Sequence, residues 1–299
     1  MTRLDADLFN QDLFMINNVE IDVEIWPHNS EFLLISALPQ APAAQPRYVL
    51  ELMACKLYVK TVDLMDGLSL DIARRLNTNV ARYGIRKTML KSISLTEGRT
   101  EFSYALFTDE LPRRVLIGMV ANAAYNGNAG NIYSSPFKFQ PFAVREITLN
   151  AGGRDYPQVH YELDFANNNY VRAYHDHQEF LNHAYTTESN GIDYAMFGDG
   201  WTVFAFMMTN SLEVRGGNSK FKPDVFIYLG RPLFSTYKSK QYVYYDTTNK
   251  HVIKDGTTSL YMRFAAAVPA GGVTLIAYAE VDALLMIDRN RAITSDMSI

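Results

Sequence analysis

Hydrophobic and polar positions alternate with a period of two along much of this chain, the spacing that turns one set of side chains toward a core and the other toward water. In FMINNVEIDVEIWP (14–27), Val19, Ile21, Val23 and Ile25 share one face and Glu20, Asp22 and Glu24 the other, which predicts a half-buried strand with an acidic outer face. FLLIS (32–36) follows the turn-like PHNS (27–30) and predicts a hairpin, while the three prolines of LPQAPAAQPR (38–47) mark a loop or short linker. YVLELMACKLYVKTVDL (48–64), IRKTMLKSISL (85–95), EFSYALF (101–107), RRVLIGMV (113–120) and WTVFAFMMT (201–209) are strand-like too. VREITLNAGGRDYPQVHYEL (144–163) predicts a hairpin-like pair across Gly152–Gly153. MRFAAAVPAGGVTLIAYAEVDALLMI (262–287) predicts a core strand, a turn at Pro269 and Gly271–Gly272, and a last apolar strand.

Two stretches change period. In SLDIARRLNTNVARYG (69–84), Leu70, Ala73, Leu76 and Val80 fall near helical spacing, with Ser69 as N-cap and Gly84 as stop. DHQEFLNHAYTTES (176–189) predicts a second helix. ANAAYNGNAGNIYSSP (121–136) has no apolar period and predicts a long loop; its glycines lack the Gly-Lys-Ser/Thr ending and following helix of a phosphate cradle. Residues 213–262, rich in Tyr, Lys and Gly with a turn at Asp255–Gly256, predict an inserted, solvent-facing β subdomain. Many short strands and two modest helices predict an all-β sandwich, of which the jelly roll is one solution.

Composition narrows the function classes. At 299 residues the chain is long enough for a substantial core, and its 19 Tyr and 17 Phe suit a pleated surface. A net charge of −4, without a Lys/Arg block, argues against direct coating of nucleic acid. One cysteine, Cys55, allows no internal disulfide, and its apolar run predicts a buried core thiol. The polar start MTRLDADLFNQD is not a secretory signal, and VTLIAYAEVDALLMI (273–287) is too short and carries Glu280 and Asp282, so no membrane span is expected.

Candidate chemistry is thin. His175, Asp176, His177 and His183 crowd one stretch, and a helix would bring His175, Glu179 and His183 near one face. The His-Glu-x-x-His spacing of a zinc protease is missing, so these read as surface or interface polar residues. There is no Gly-x-Ser-x-Gly elbow, and Asp22 and Glu24, two apart on a strand as a glycosidase pair pointing into one cleft would need, fall on its solvated face. Arg113, Arg114, Arg289 and Arg291 are candidates for carboxylate contacts across subunits. No catalytic, cofactor-binding or metal residue is assigned, and no enzyme activity or cofactor is expected.

Five phrases carry a family resemblance: LPRRVLIGMVANAAYNGN (111–128), PFKFQPFAVREITLNAGG (136–153), NNNYVRAY (167–174), WTVFAFMMT (201–209) and IAYAEVDALLMIDRNR (276–291). In this order they resemble the double-jelly-roll capsid-type proteins of Polinton/Maverick elements and adintovirus-like DNA viruses. The resemblance implies an all-β, capsid-type jelly-roll sandwich with its two short helices in long inter-strand connections; the inserted β subdomain at 213–262 is a departure, longer than the connection the relatives carry there. The resemblance divides the chain into 1–47, late first-roll strands and a linker, and 48–299, a jelly-roll domain with the insertion 213–262. Members of the family extend upstream of the position matching Met1, so most of a first roll is expected to be missing here. The implied function is a major capsid-type subunit that self-associates into homotrimers and, with other capsid proteins, into an icosahedral shell. It would reside in the virion after assembly in the host cytoplasm or nucleus. The alternative is a single jelly-roll carbohydrate- or ligand-binding module, with Tyr242, Tyr244 and Tyr245 stacking on the ligand.

Overall fold

An alternating segment becomes a strand only where a neighbour takes up its backbone hydrogen bonds, and the pairings of this chain follow one rule. The computed structural model describes residues 6–10, 13–27, 33–34, 50–125, 135–187, 189–208 and 256–296. Its strands are β1 (Ala81–Leu95), β2 (Glu101–Phe107), β3 (Arg114–Ala121), β4 (Val144–Ala151), β5 (Arg154–Tyr156), β6 (Val203–Met207), β7 (Thr258–Phe264), β8 (Val273–Ile287) and β9 (Ile293–Asp296). The helices are α1 (Asp7–Asn10), α2 (Asp66–Thr78), α3 (Asn122–Tyr125), α4 (Val171–Phe180) and α5 (Tyr194–Gly198).

Leaving β9 aside, the first strand pairs with the eighth, the second with the seventh, the third with the sixth and the fourth with the fifth, all antiparallel. That is one long hairpin rolled up, with its tip at Gly152–Gly153. The links β3–β8 and β4–β7 complete two sheets, ordered β1-β8-β3-β6 and β2-β7-β4-β5, with β9 added to β8. Chain-consecutive β1, β2, β3 and β4 therefore alternate between sheets, and the fold is a jelly roll. The inner faces meet in one core that includes Val115, Ile117 and Met119 of β3, Ile147 and Leu149 of β4, Leu260 and Met262 of β7, and Leu275, Ala277 and Ala279 of β8.

The β1–β8 ladder runs from Ala81↔Ile287 to Leu95↔Val273 and outreaches the second sheet. Its far end has a second, smaller cluster, in which Leu76 and Ile72 of α2 and Met15, Ile16 and Val19 of the N-terminal segment cover Ala81, Tyr83 and Ile287. The Tyr83 hydroxyl donates to the Phe14 carbonyl and accepts from the Ile16 N–H, and Arg291 donates to the Asn17 carbonyl and Oδ1. At the opposite end the turn into β8 places Gly271 and Gly272 at φ of +86° and +75°. A Cβ on Gly272 would meet the Leu95 carbonyl at 2.7 Å, so the tight return to β1 requires glycine there.

Several expectations need correction. Residues 14–27 and 50–64 hold neither strand nor helix, because no other described strand pairs with them. The first long helix starts at Asp66, with Met65 rather than Ser69 in the N-cap position, and stops at Thr78. Residues 81–84 are already β1, since pairing with β8 overrides the helical spacing of Val80. The second helix occupies 171–180 instead of 176–189. Residues 258–262 belong to β7, an inner strand of the second sheet, not to an insertion; 209–255 lie outside the described residues. FLLIS lies mostly outside them as well. The loop at 121–136 opens with α3, and 126–134 are not described.

Candidate functional site

The outer face of the β1-β8-β3-β6 sheet is built from the residues that alternate with the core positions. One row across it is Thr88, Glu280, Arg114 and Met207, the next Leu90, Tyr278, Leu116 and Ala205, and a third Ser92, Ile276, Gly118 and Val203. The central rows are apolar, and Leu90 is 70% exposed. Phe139 lies over Gly118, where a Cβ would come within 2.6 Å of its ring, so glycine is what lets the 139–140 segment close over this row.

Charge gathers at one end of that face. Arg113 reaches both carboxylate oxygens of Asp282 at 3.1 Å, and Arg86 pairs with Asp7 at 3.1 Å and Glu280 at 3.6 Å. Asp7 also accepts the backbone N–H of Arg86, so α1 closes part of the free edge of β1. Arg114 is buried, with its guanidinium 5.3 Å from the Phe180 ring centroid. Burial lowers its pKa against the opposing pull of Glu280, and it stays a cation at any working pH. For Arg86, desolvation pulls downward, but the Asp7 hydrogen bond and the charges of Asp7 and Glu280 outweigh it and the pKa is raised.

The outer face of the other sheet is more polar. Arg263 bridges to Glu101 at 2.9 Å, and His160 Nδ1 lies 2.6 Å from Glu146. Asn150 donates to Asp155.

Helix α4 separates the predicted histidine cluster. His177 faces inward, buried beside Phe197, with Nδ1 3.0 Å from the Val203 carbonyl and Nε2 without a hydrogen-bond partner. Burial lowers its pKa, with the Val203 contact opposing, so it belongs to the core packing of α4 rather than to the polar surface expected of it. His183 lies past the helix end and does not join His175 and Glu179 on its face. His175, Asp176 and Glu179 do come together, with ligand-capable atoms within 4.8 Å of one another, and the Tyr161 hydroxyl donates to Asp176. Burial, with Asp176 adding to it, pushes the Tyr161 pKa far up and keeps this hydroxyl a donor.

Two strand-patterned segments leave the second cluster with their apolar side chains in water. Beyond Val19, Ile21 is 45%, Ile25 58% and Trp26 85% exposed; ahead of α2, Met53 is 87%, Tyr58 73% and Val59 71% exposed. Asp22 and Glu24 are solvated as expected, Glu24 accepting from the Trp26 indole N–H. Cys55 is exposed, against the expectation of a core thiol, because the run that carries it has no sheet to pack on. Of the candidate interface arginines, Arg113 and Arg291 bond within the chain, Arg114 is buried and Arg289 is exposed. Tyr242, Tyr244 and Tyr245 lie outside the described residues.

No family model matches the chain. An uncharacterised protein of Caenorhabditis elegans is 28% identical over 290 residues, 96% of this chain and 60% of that protein. The chain thus spans about 60% of the length of the curated relative it matches. Among solved structures, one from the cryo-EM structure of the Sputnik virophage is 14% identical, covering 74% of this chain and 39% of that one, with a TM-score of 0.32. PBCV-1 VP54, fitted into a reconstruction of Sputnik, is 14% identical over 76% of this chain and 54% of its own, TM-score 0.36. A chain of the PBCV-1 virus capsid is 11% identical over 77% and 55%, TM-score 0.35. The jelly-roll assignment rests on this chain's own strand pairing.

Proposed function

We propose that the chain is a non-enzymatic, capsid-type structural subunit that works by self-association. The observation that carries this reading is a complete rolled pairing whose attached strand-patterned segments, 19–26 and 50–65, keep large apolar side chains in water. Exposed apolar surface on this scale calls for a partner, and a subunit of a larger assembly supplies one. The resemblance of five phrases to Polinton and adintovirus-like capsid proteins supports the same reading. In it, the roll built by β1 to β8 is the unit that assembles, and the segments 19–26 and 50–65 belong to surface completed by neighbours. Subunits close into homotrimers through heterologous contacts and pack with other capsid proteins into the shell of a virion.

Electron microscopy of the concentrated full chain tests the proposal. Three-lobed particles or closed shells are expected. A field of isolated single rolls at every concentration would overturn it and turn attention to ligand screening.

A further inference from the structure

Residues 19–25 and 54–61 pair with no described strand of the same copy, yet their sequences fit each other as an antiparallel ladder. Setting Val23 opposite Leu57 places Ile21 against Val59 and Ile25 against Cys55 on one face. On the other face Glu20 meets Lys60, Glu24 meets Lys56 and Asp22 meets Tyr58. Apolar and opposite-charge pairs directly across a ladder are the units that stabilise a sheet. A slip by one residue sets all three carboxylates against Val59, Leu57 and Cys55, or against Thr61, Val59 and Leu57; a slip by two keeps a single Asp–Lys pair.

Both segments leave the same cluster. The first is anchored by Met15, Ile16 and Val19, and by the bonds of Tyr83 and Arg291; the second runs into α2, anchored by Leu76 and Ile72. No described strand of the same copy pairs with them, and Ile25, Trp26, Tyr58 and Val59 stay in water. We infer that they pair between copies: residues 19–25 of one subunit form an antiparallel ribbon with residues 54–61 of a second copy of this chain. Passed head to tail, the exchange closes a ring; returned to the donor, it closes a dimer. Charge complementarity selects this partner, and the ribbon stands whether or not the subunit builds a shell.

The chain's single cysteine makes the test direct. Ile25→Cys places a second thiol opposite Cys55, within the reach of a disulfide across an antiparallel pair. Mild oxidation of the full-length variant is expected to give covalent dimers or closed covalent rings on a non-reducing gel, reversed by reductant. Trp26→Cys, one residue off the face, is expected to give at least tenfold less. A disulfide confined to single chains would overturn the exchange, and predominant linkage through Val19→Cys would overturn the antiparallel register. No linkage by any variant would overturn the pairing. Charge reversal guards against trivial misfolding: Glu20→Lys with Glu24→Lys in the Ile25→Cys background is expected to abolish linkage, and adding Lys56→Glu with Lys60→Glu to restore it. Failure of that rescue, with the far-UV spectrum unchanged, would overturn the ladder. Particles by microscopy without cross-links would leave the shell reading standing and remove the exchange alone.

Discussion

The β1–β8 ladder passes through two environments that differ in what covers it. From Met89 to Leu95 it faces the other sheet, and its partners Val273, Leu275, Ala277 and Ala279 are wholly buried. From Ala81 to Ile85 no described strand faces it, and α2 with a few N-terminal side chains does the covering. The first region is closed by strands that satisfy one another's backbones. The second is closed by segments whose continuations join no described sheet and keep apolar side chains exposed. The difference teaches that alternation sets which face a strand would bury, while a partner decides whether the strand forms.

Substitutions at the two ends should separate them. Ile147→Ala, in the closed core, is expected to cost about 2–5 kcal/mol in urea unfolding, because neighbours on both sheets cannot collapse into the space. Leu76→Ala, in the smaller cluster, is expected near about 2 kcal/mol, since an unpaired segment can settle into the gap. Equal losses at the two sites would erase the distinction. Tyr83→Phe removes only the hydroxyl that ties down Phe14 and Ile16 and is expected to cost about 1 kcal/mol. Its sharper readout is faster proteolysis of the N-terminal segment with the roll intact.

The closed region should also carry a pH signature. His177 is held neutral by burial, its folded pKa lying below the free imidazole value of about 6.5. As pH falls through that value the unfolded chain takes up the proton first, so stability is full above it and declines from there toward the lower folded pKa. Urea midpoints measured between neutral and mildly acid pH are expected to fall less in His177→Gln than in the parent chain. An unchanged slope would show that His177 is not the titrating group. At the small end, Arg263→Ala removes a surface pair with Glu101 and is expected to leave the midpoint within error.

Most of the roll is legible in the residues. The runs now seen as β2, β3, β4, β6 and β8 alternate or are continuously apolar, and Gly152–Gly153 and Gly271–Gly272 mark their turns. What was not legible came from tertiary context. Val80 keeps helical spacing with Leu76, yet the chain past Asn79 is claimed by β8. The short β9 depends on the free edge that β8 offers past β3, and α5 on Asp193 accepting the Met196 N–H. For the candidate surface, no local signal foretold that Phe139 would lie over Gly118 or that His177 would face inward. The segments 19–25 and 54–61 are the instructive failure: the pattern is present, and no described strand of the same copy pairs with it.

The most direct measurement is the solution mass of the full chain over a concentration series, by light scattering coupled to size exclusion. A mass that climbs from 33.9 kDa toward a closed trimer or larger is expected if the roll is a subunit completed by its copies. A mass fixed at 33.9 kDa up to the highest concentration reached would contradict that claim.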